Sequence, residues 1–313
     1  MIVHHFYENI PNAAKGSVVA IGNFDGVHLG HRALIRAARD VADRLNVPLS
    51  VMTFEPHPRS FFQPQGEPFR LTLLPMKQRL FQDLSVDYLF VVPFDAAFAQ
   101  LTGELFLQKV LKDSFAARHV VVGTGFSFGQ GRSGTTETLK RAEAAGLFGV
   151  TLVEPAKCEG HDIYSSTRIR ELIRKGDFDK ATDLLNHPFE MEAEVVHGDH
   201  RGRTIGYPTA NQNVLNYIRA PYGVYAVRVL IENEDKWREG VASFGIRPMF
   251  EVQSPLLETY IFDFNAEIYG KMMRVRPIRF LRPEMKFAGL DELKSRIDRD
   301  CLEARAVLKS VPL

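Results

Sequence analysis

Ser17-Val18-Val19-Ala20-Ile21-Gly22-Asn23-Phe24-Asp25-Gly26-Val27-His28-Leu29-Gly30-His31 opens as a buried strand and passes through a glycine-punctuated turn into a helix. Past the turn, Ala33, Leu34, Ala37, Ala38, Val41 and Leu45 recur at helical spacing, which predicts a helix over 32–45. Glycines in the turn allow a tight bend and close approach of a ligand to the backbone. His28 and His31 stand three apart at the helix start and can face one ligand. The helix N-terminus adds N–H donors and a partial positive charge. A polyphosphate would find donors there without a basic protein around it. The competing reading of the two histidines is solvent-exposed helix residues.

The same alternation runs outward from this stretch. Strands are predicted over 48–54, 88–92, 119–122 and 150–153, with helices over 76–84, 102–111 and 135–145. Strand and helix in alternation imply a Rossmann-like α/β domain with a mainly parallel sheet, whose ligands bind at the carboxyl ends of the strands. Two more helical stretches, 166–175 and 178–185, close this half, and Pro188 follows. The chain then turns β-rich, with strands expected over 191–196, 223–231, 238–243, 256–262 and 272–280. Strands without intervening helices suggest a small antiparallel β-barrel. A C-terminal helix over 291–308 carries apolar Leu293, Ile297, Cys301 and Leu302. The expected division is residues 1–185 and 186–313.

Bulk properties narrow the class. A length of 313 residues accommodates two ordinary domains, and 45% hydrophobic with 25% charged residues is normal for a soluble globular chain. The formal net charge of +1 argues against a nucleic-acid binder, so an anionic ligand has to be held locally. Two cysteines, Cys158 and Cys301, are too few for a disulfide framework and favour a reducing compartment. No signal peptide and no apolar stretch of membrane-spanning length is visible, so a cytoplasmic protein is expected. His4 and His5 are read as solvated residues near a terminus, and Trp237 as part of a hairpin turn.

A second stretch is the most specific in the chain: His197-Gly198-Asp199-His200-Arg201-Gly202-Arg203-Thr204-Ile205-Gly206-Tyr207-Pro208-Thr209-Ala210-Asn211. Gly198, Gly202 and Gly206 let backbone amides wrap phosphates, while Arg201 and Arg203 add charge. Pro208 stiffens a turn that presents Thr209 and Asn211, two oxygen donors that can reach one Mg2+, a metal that keeps phosphate and water for its remaining ligands. The competing reading is a glycine-rich hairpin. In Tyr164-Ser165-Ser166-Thr167-Arg168-Ile169-Arg170, a Ser or Thr caps a helix and Arg168 can fork onto phosphate oxygens; by itself this is also how an ordinary capped helix looks.

Together these segments resemble the bacterial bifunctional riboflavin kinase/FMN adenylyltransferase (FAD synthetase) family. His28-Leu29-Gly30-His31 is the His-x-Gly-His arrangement of nucleotidyltransferases. Thr53-Phe54-Glu55-Pro56-His57-Pro58 is similar to the family's Thr-Phe-x-Pro-His-Pro, and Leu71-Thr72 and Lys77 fit the following helix start. Gly123-Thr124-Gly125-Phe126-Ser127-Phe128-Gly129 resembles its Gly-x-(Asp or Asn)-Phe-x-Phe-Gly loop, with Gly125 in place of the polar residue. The stretch ending Gly206-Tyr207-Pro208-Thr209-Ala210-Asn211 resembles the riboflavin kinase motif, supported by Gly223-Val224-Tyr225 and Glu258-Thr259-Tyr260-Ile261-Phe262-Asp263-Phe264. Departures are Ser243 and Met249 in 243–250, and Tyr260 where histidine is frequent.

The resemblance implies riboflavin, FMN and ATP as substrates, Mg2+ as cofactor, and two reactions. Riboflavin is phosphorylated to FMN, and FMN is adenylylated to FAD with release of pyrophosphate. It implies that His28, His31 and Arg168 stabilise the adenylyl transfer, with Gly22, Phe24, Asp25, Gly26, Gly30, Ser166 and Thr167 around that ATP. Glu258 is implied as the base that activates the ribityl hydroxyl, a role a carboxylate within hydrogen-bond reach can fill. Gly198, Arg201, Gly202, Arg203 and Gly206 would hold the second ATP, Thr209 and Asn211 the metal, and His57, Phe128, Tyr207 and Arg247 the flavin. No nucleic-acid or membrane partner is expected, and oligomeric state is open.

Rival readings are a kinase with a degenerate adenylyltransferase half and a non-catalytic flavin binder. Gly129-Gln130-Gly131-Arg132-Ser133-Gly134 also matches a dinucleotide fingerprint, but its strand ends at Val122, too early for a first βα turn. Cys158 and His161 lack the partners of a closed zinc site.

Overall fold

The computed structural model describes residues 1–156, 164–198, 202, 205–246 and 255–311. They form two compact units: residues 1–66 with 74–165, and residues 67–73 with 166–313.

In the first unit, six strands pair in parallel: β1 (Ile2–His4), β2 (Val18–Ile21), β3 (Leu49–Glu55), β4 (Tyr88–Pro93), β5 (His119–Gly123) and β6 (Gly149–Val153). Their spatial order is β1-β4-β3-β2-β5-β6. Consecutive strands build outward from β2 on one side, and the chain then crosses to begin again with β5 on the other. The order therefore reverses at β2/β5, where open α/β sheets hold their ligands beyond the carboxyl ends.

Alternation along each strand feeds two cores. Val18, Ala20, Val51, Leu89 and Val121 pack beneath α1 (Leu29–Leu45). Val19, Ile21, Met52, Phe90 and Val120 pack with Phe106, Val110 and Leu111 on the other face. The further helices of this unit are α2 (Pro58–Phe62), α3 (Leu74–Gln82), α4 (Ala96–Ala99), α5 (Gly103–Leu105), which continues as a π-helix over Phe106–Ser114, and α6 (Thr136–Ala144). The β1 strand corrects the sequence reading of His4. Its ring is half-buried and stacks on Phe90 at 5.1 Å.

The second unit begins with α7 (Ser166–Lys175) and α8 (Phe178–Leu185). Then β7 (Met191–Val196), β8 (Ala210–Asn213), β9 (Gly223–Ile231), β10 (Arg238–Ile246), β11 (Pro255–Ile261) and β12 (Met272–Pro283) close into a barrel of order β10-β11-β8-β7-β12-β9. Every pairing in it is antiparallel. Leu257, Thr259 and Ile261 face the interior and are buried, while Leu256, Glu258 and Tyr260 alternate outward. The last helix, α9 (Leu290–Ser310), packs Ala304 and Leu308 on Val224, Ala226 and Val241 outside the barrel. Leu302, read from the sequence as one of the helix's apolar positions, is 69% exposed; the buried stripe is carried by Ala304 and Leu308 instead.

Candidate active sites

The β2–α1 turn lies at the sheet's point of reversal. Phe24 (φ 49°) and Val27 (φ 40°) take left-handed backbone angles that L-residues avoid, as does Gly26 at φ 91°. Three contacts hold the turn. Phe24 is buried edge-on to Phe81 at 5.5 Å and to His31 at 5.3 Å. Lys77 of α3, fully buried, donates from Nζ to the Asn23 carbonyl at 2.9 Å and pairs with Glu55 at 3.4 Å. Thr53 Oγ1 donates to the same carbonyl at 3.2 Å. A Cβ on Gly22 would meet the Phe24 ring at 3.1 Å, and one on Gly30 would meet the His28 ring at 3.1 Å, so both glycines are close approaches.

His28 is the N-cap of α1: its Nδ1 accepts from the His31 N–H at 3.4 Å. The two imidazoles stack with centroids 3.6 Å apart. His28 is buried and His31 half-buried, which corrects the alternative of solvent-exposed helix residues. With Nδ1 accepting, neutral His28 carries its proton on Nε2 and acts there as a donor. Asp25 is buried beside them in the turn.

His57 caps α2, its Nδ1 accepting from the Arg59 N–H at 3.0 Å. Around α2 lies an aromatic cluster that the sequence reading missed: Phe61 and Phe62 pack on Phe94 at 5.5 and 5.7 Å, and Phe62 is 65% exposed. Its signal was there in the pair Phe61-Phe62 directly after the Pro-His-Pro segment. Phe128 is buried and stacks with Phe126 at 5.4 Å. Its backbone bridges Gly134, so the stretch 129–134 folds as a turn instead of a dinucleotide-binding loop. At Gly125 a Cβ would have open space, with no atom within 4 Å. Ser166, Thr167 and Arg168 form the first turn of α7 in the second unit, with Arg168 half-buried and Thr167 exposed.

In the barrel, register brings together residues of the second candidate site. Directly paired residues place a row across its outer face: Val224, Ser243, Glu258, Asn211 and Val196. Glu258 and Asn211 are thus cross-strand neighbours on β11 and β8. Asn211 is buried; its Nδ2 donates to the Thr209 carbonyl at 3.3 Å, while its Oδ1 has no hydrogen-bond partner among the described residues. Stranding such an oxygen costs about 1–3 kcal/mol. Thr209 is half-buried two residues before it. Gly198 lies against the Asn211 amide, where a Cβ would come within 2.5 Å of Nδ2, and Gly202 lies against the Tyr207 carbonyl. Gly206 takes φ 92°. Tyr207 donates to Asp298 of α9, and this hydrogen bond pushes its phenol up to about 12. Arg201, Arg203 and Arg247, together with Cys158 and His161, lie outside the described residues.

On the interior side of the same strands, where Thr259 and Ile261 point, a cavity of about 370 Å³ opens at the barrel mouth. Val195, Ile261, Phe264 and Ile268 wall it, and Thr209 sits on its lining. Phe264 was quoted in the sequence only as the end of a motif strand, and Ile268, in the loop after β11, went unread because a loop shows no periodicity.

Comparisons with known proteins give the family. The family described as FAD synthetase matches residues 10–168, and the family described as Riboflavin kinase matches residues 185–308. The chain is 40% identical over 291 residues to the bifunctional riboflavin kinase/FMN adenylyltransferase of Escherichia coli K12, covering 93% of this chain and 92% of the relative. It is 36% identical over 308 residues to the protein of the same description from Bacillus subtilis, covering 96% of each. A solved structure from Streptococcus pneumoniae, described as a macrolide-efflux protein, aligns with a TM-score of 0.82 at 33% identity over 96% of this chain and 97% of that one. Among the described residues of the present chain, no helix is long and apolar enough to cross a membrane. With both family matches in chain order and relatives alike over nearly their whole length, the chain belongs to the bifunctional riboflavin kinase/FMN adenylyltransferase family.

Proposed function

We propose that the chain makes FMN and then FAD with two separate phosphorus-transfer sites, one on the barrel and one at the β2–α1 turn. The observation that carries the kinase assignment is the cross-strand pair of Glu258 and Asn211, with the buried Asn211 Oδ1 lacking a partner among the described residues.

Thr209 and Asn211 fit Mg2+: both offer hard neutral oxygens, and the Asn211 amide is turned by its tie to Thr209 so that the oxygen is the group left for a ligand. When bound, Mg2+ would neutralise charge on the nucleotide phosphates. Gly198, Gly202 and Gly206 keep side chains away from the turn those phosphates would follow. The cavity, with Val195, Ile261, Phe264 and Ile268 on its walls beside the polar Thr259, Asn265 and Glu267, would take the base, with Thr209 toward the phosphates. Glu258 accepts the proton of the ribityl 5′-hydroxyl as its oxygen bonds to the γ-phosphorus and ADP leaves.

At the other site, a phosphate oxygen of FMN attacks the α-phosphorus of ATP and pyrophosphate departs. His28, His31 and the N-terminal amides of α1 stabilise the charge that develops, and no covalent enzyme intermediate is needed. His57, Phe128 and the Phe61/Phe62/Phe94 cluster supply an aromatic surface suited to an isoalloxazine ring. The division of labour falls between residues 1–185 and 186–313, and dependence on ATP with only two cysteines in the chain supports a cytoplasmic setting.

The test is to incubate the protein with riboflavin, ATP and Mg2+ and resolve the flavins chromatographically over time. FMN followed by FAD is expected. Glu258→Ala should abolish FMN formation yet still convert supplied FMN to FAD, and the double variant His28→Ala, His31→Ala should do the reverse. Loss of both activities in either folded variant would rule out two separate sites.

A further inference from the structure

One side chain touches three parts of the kinase site. Tyr207 stands on the turn that carries Thr209 and Asn211. Its ring packs edge-on to Tyr260 at 5.4 Å. Tyr260 is two residues from Glu258 and therefore on the same outer face of β11. The Tyr207 hydroxyl donates to Asp298 Oδ1 of α9 at 2.5 Å.

The helix on the receiving end is anchored unevenly. From Asp300 onward it is fixed. Arg282 of β12 forks onto the buried Asp300 carboxylate from Nε and Nη2 at 2.7–3.0 Å, and a second guanidinium, Arg296 of α9 itself, pairs with it at 2.9 Å. Ala304 and Leu308 are buried, and Arg228 donates to the Leu308 carbonyl at 3.1 Å. Before Asp298 the helix is loosely covered: residues 290–292 are exposed, Leu290 by 65%. Asp298 sits at the border between the two parts. The helix lies over Ala226, Val241 and Tyr260, the row next to Ser243, Glu258 and Asn211. A substrate held beside Glu258 thus borders α9, while a nucleotide held at Thr209 and Asn211 borders the turn.

We propose that the Tyr207–Asp298 hydrogen bond is a latch that couples nucleotide binding to riboflavin binding in the kinase unit, with Tyr207 as a positioning residue. The proposal rests on the assignment of Thr209, Asn211 and Glu258 given above. A nucleotide held by Thr209 and Asn211 fixes the position of the phenol, and the phenol fixes the first half of α9 along the riboflavin's edge. Coupling of this kind is reciprocal, so riboflavin strengthens nucleotide binding by the same factor. A phenylalanine at 207 retains the packing on Tyr260 and removes only the tie.

The test measures riboflavin binding by fluorescence quenching in the full chain, with and without saturating Mg-ADP. Wild type, Tyr207→Phe, Asp298→Asn and the double variant are compared, each checked for folding by circular dichroism and melting temperature. Mg-ADP is expected to tighten riboflavin binding about fivefold in the wild type. Each single variant should bring that ratio to within about twofold of one, and the double variant should go no further. A ratio of one in the wild type, a fivefold ratio kept in both single variants, or summed losses in the double variant would overturn the latch. Asn211→Ala separates the two levels: if it binds Mg-ADP as the wild type does, the site assignment itself fails, whereas intact coupling in the single variants sinks the latch alone.

Discussion

Asn211 shows how a single amide is committed to one task. Its nitrogen is spent on the Thr209 carbonyl, and its oxygen is buried without a partner among the described residues. Gly198 is the residue that permits this, since any Cβ there would come within 2.5 Å of the amide nitrogen and 2.8 Å of the oxygen. Gly198→Ala is therefore expected to push the amide aside and lower kcat/KM for riboflavin about a hundredfold, a cost typical of an ångström-scale misplacement. Conversion of supplied FMN to FAD should persist, and steady-state assays of both reactions check this; an unchanged kinase rate would mean the amide does not have to stay where it is. Gly125 is the contrasting case. Its backbone is outside the left-handed region and nothing lies within 4 Å of a Cβ. Gly125→Asn should leave the melting temperature where it is, within about 0.5 kcal/mol of stability.

At the scale of elements, the β2–α1 turn depends on a helix it does not belong to. Two non-glycine residues at positive φ, Phe24 and Val27, carry strain on the order of 1–3 kcal/mol each. What offsets it comes from β3 and α3: the Thr53 hydroxyl, the Lys77 ammonium and the Phe81 ring. Lys77→Met is expected to leave the Glu55 carboxylate without its ammonium and the Asn23 carbonyl without its charged donor. With the Glu55 side chain 23% exposed, the cost falls below the ~3–5 kcal/mol of breaking a fully buried pair. FAD formation should fall at least tenfold as the turn relaxes, while FMN formation continues, read by thermal melts and separate assays of the two reactions. Undiminished FAD formation would show that the turn holds its shape without α3. This dependence was only half legible in the sequence. The apolar run, the glycines and the spaced histidines of 17–31 announce a strand, a turn and a helix through local pattern, and the structure forms those three elements there. Lys77 stands out in the sequence only as a match to the family's helix start, and its role stays hidden because its partners are 22 and 54 positions away. In the barrel, β8 was hidden for a different reason. Ala210-Asn211-Gln212-Asn213 has no strand propensity, and it is a strand because of its neighbours. Gln212 points inward and donates to the carbonyls of Ala193 and Met273 at 2.6 Å each, a tie that only the closed barrel creates.

Across the whole molecule, the chain's order and its packing diverge in one informative place. Periodicity separates an α/β half from a β half because each pattern is local, and both halves are found. Which half a connecting helix packs into is a tertiary matter, invisible to periodicity. By packing, α7 and α8 belong with the barrel, as does the segment Glu67–Leu73, whose Arg70 carbonyl accepts from the Ile218 N–H at 2.9 Å and whose Phe69 carbonyl accepts from Arg170 at 2.8 Å. The helix α8 contributes to the barrel unit's core directly. Phe178, Leu184 and Leu185 are buried, and the Phe178 ring lies 6.2 Å from Phe189 and 5.8 Å from Tyr225. A fragment of residues 186–313 exposes Phe189 and Tyr225 where this helix was, whereas a fragment of residues 166–313 keeps them covered. Loss of a buried phenylalanine alone costs about 3–5 kcal/mol, and each kcal/mol moves the midpoint of a domain this small by several degrees. The longer fragment is therefore expected to melt at least about 10 °C higher and to retain riboflavin phosphorylation at temperatures where the shorter one has unfolded. Equal midpoints by circular dichroism would show that α7 and α8 merely accompany the barrel, and would make Pro188, not Ser166, the start of the folding unit.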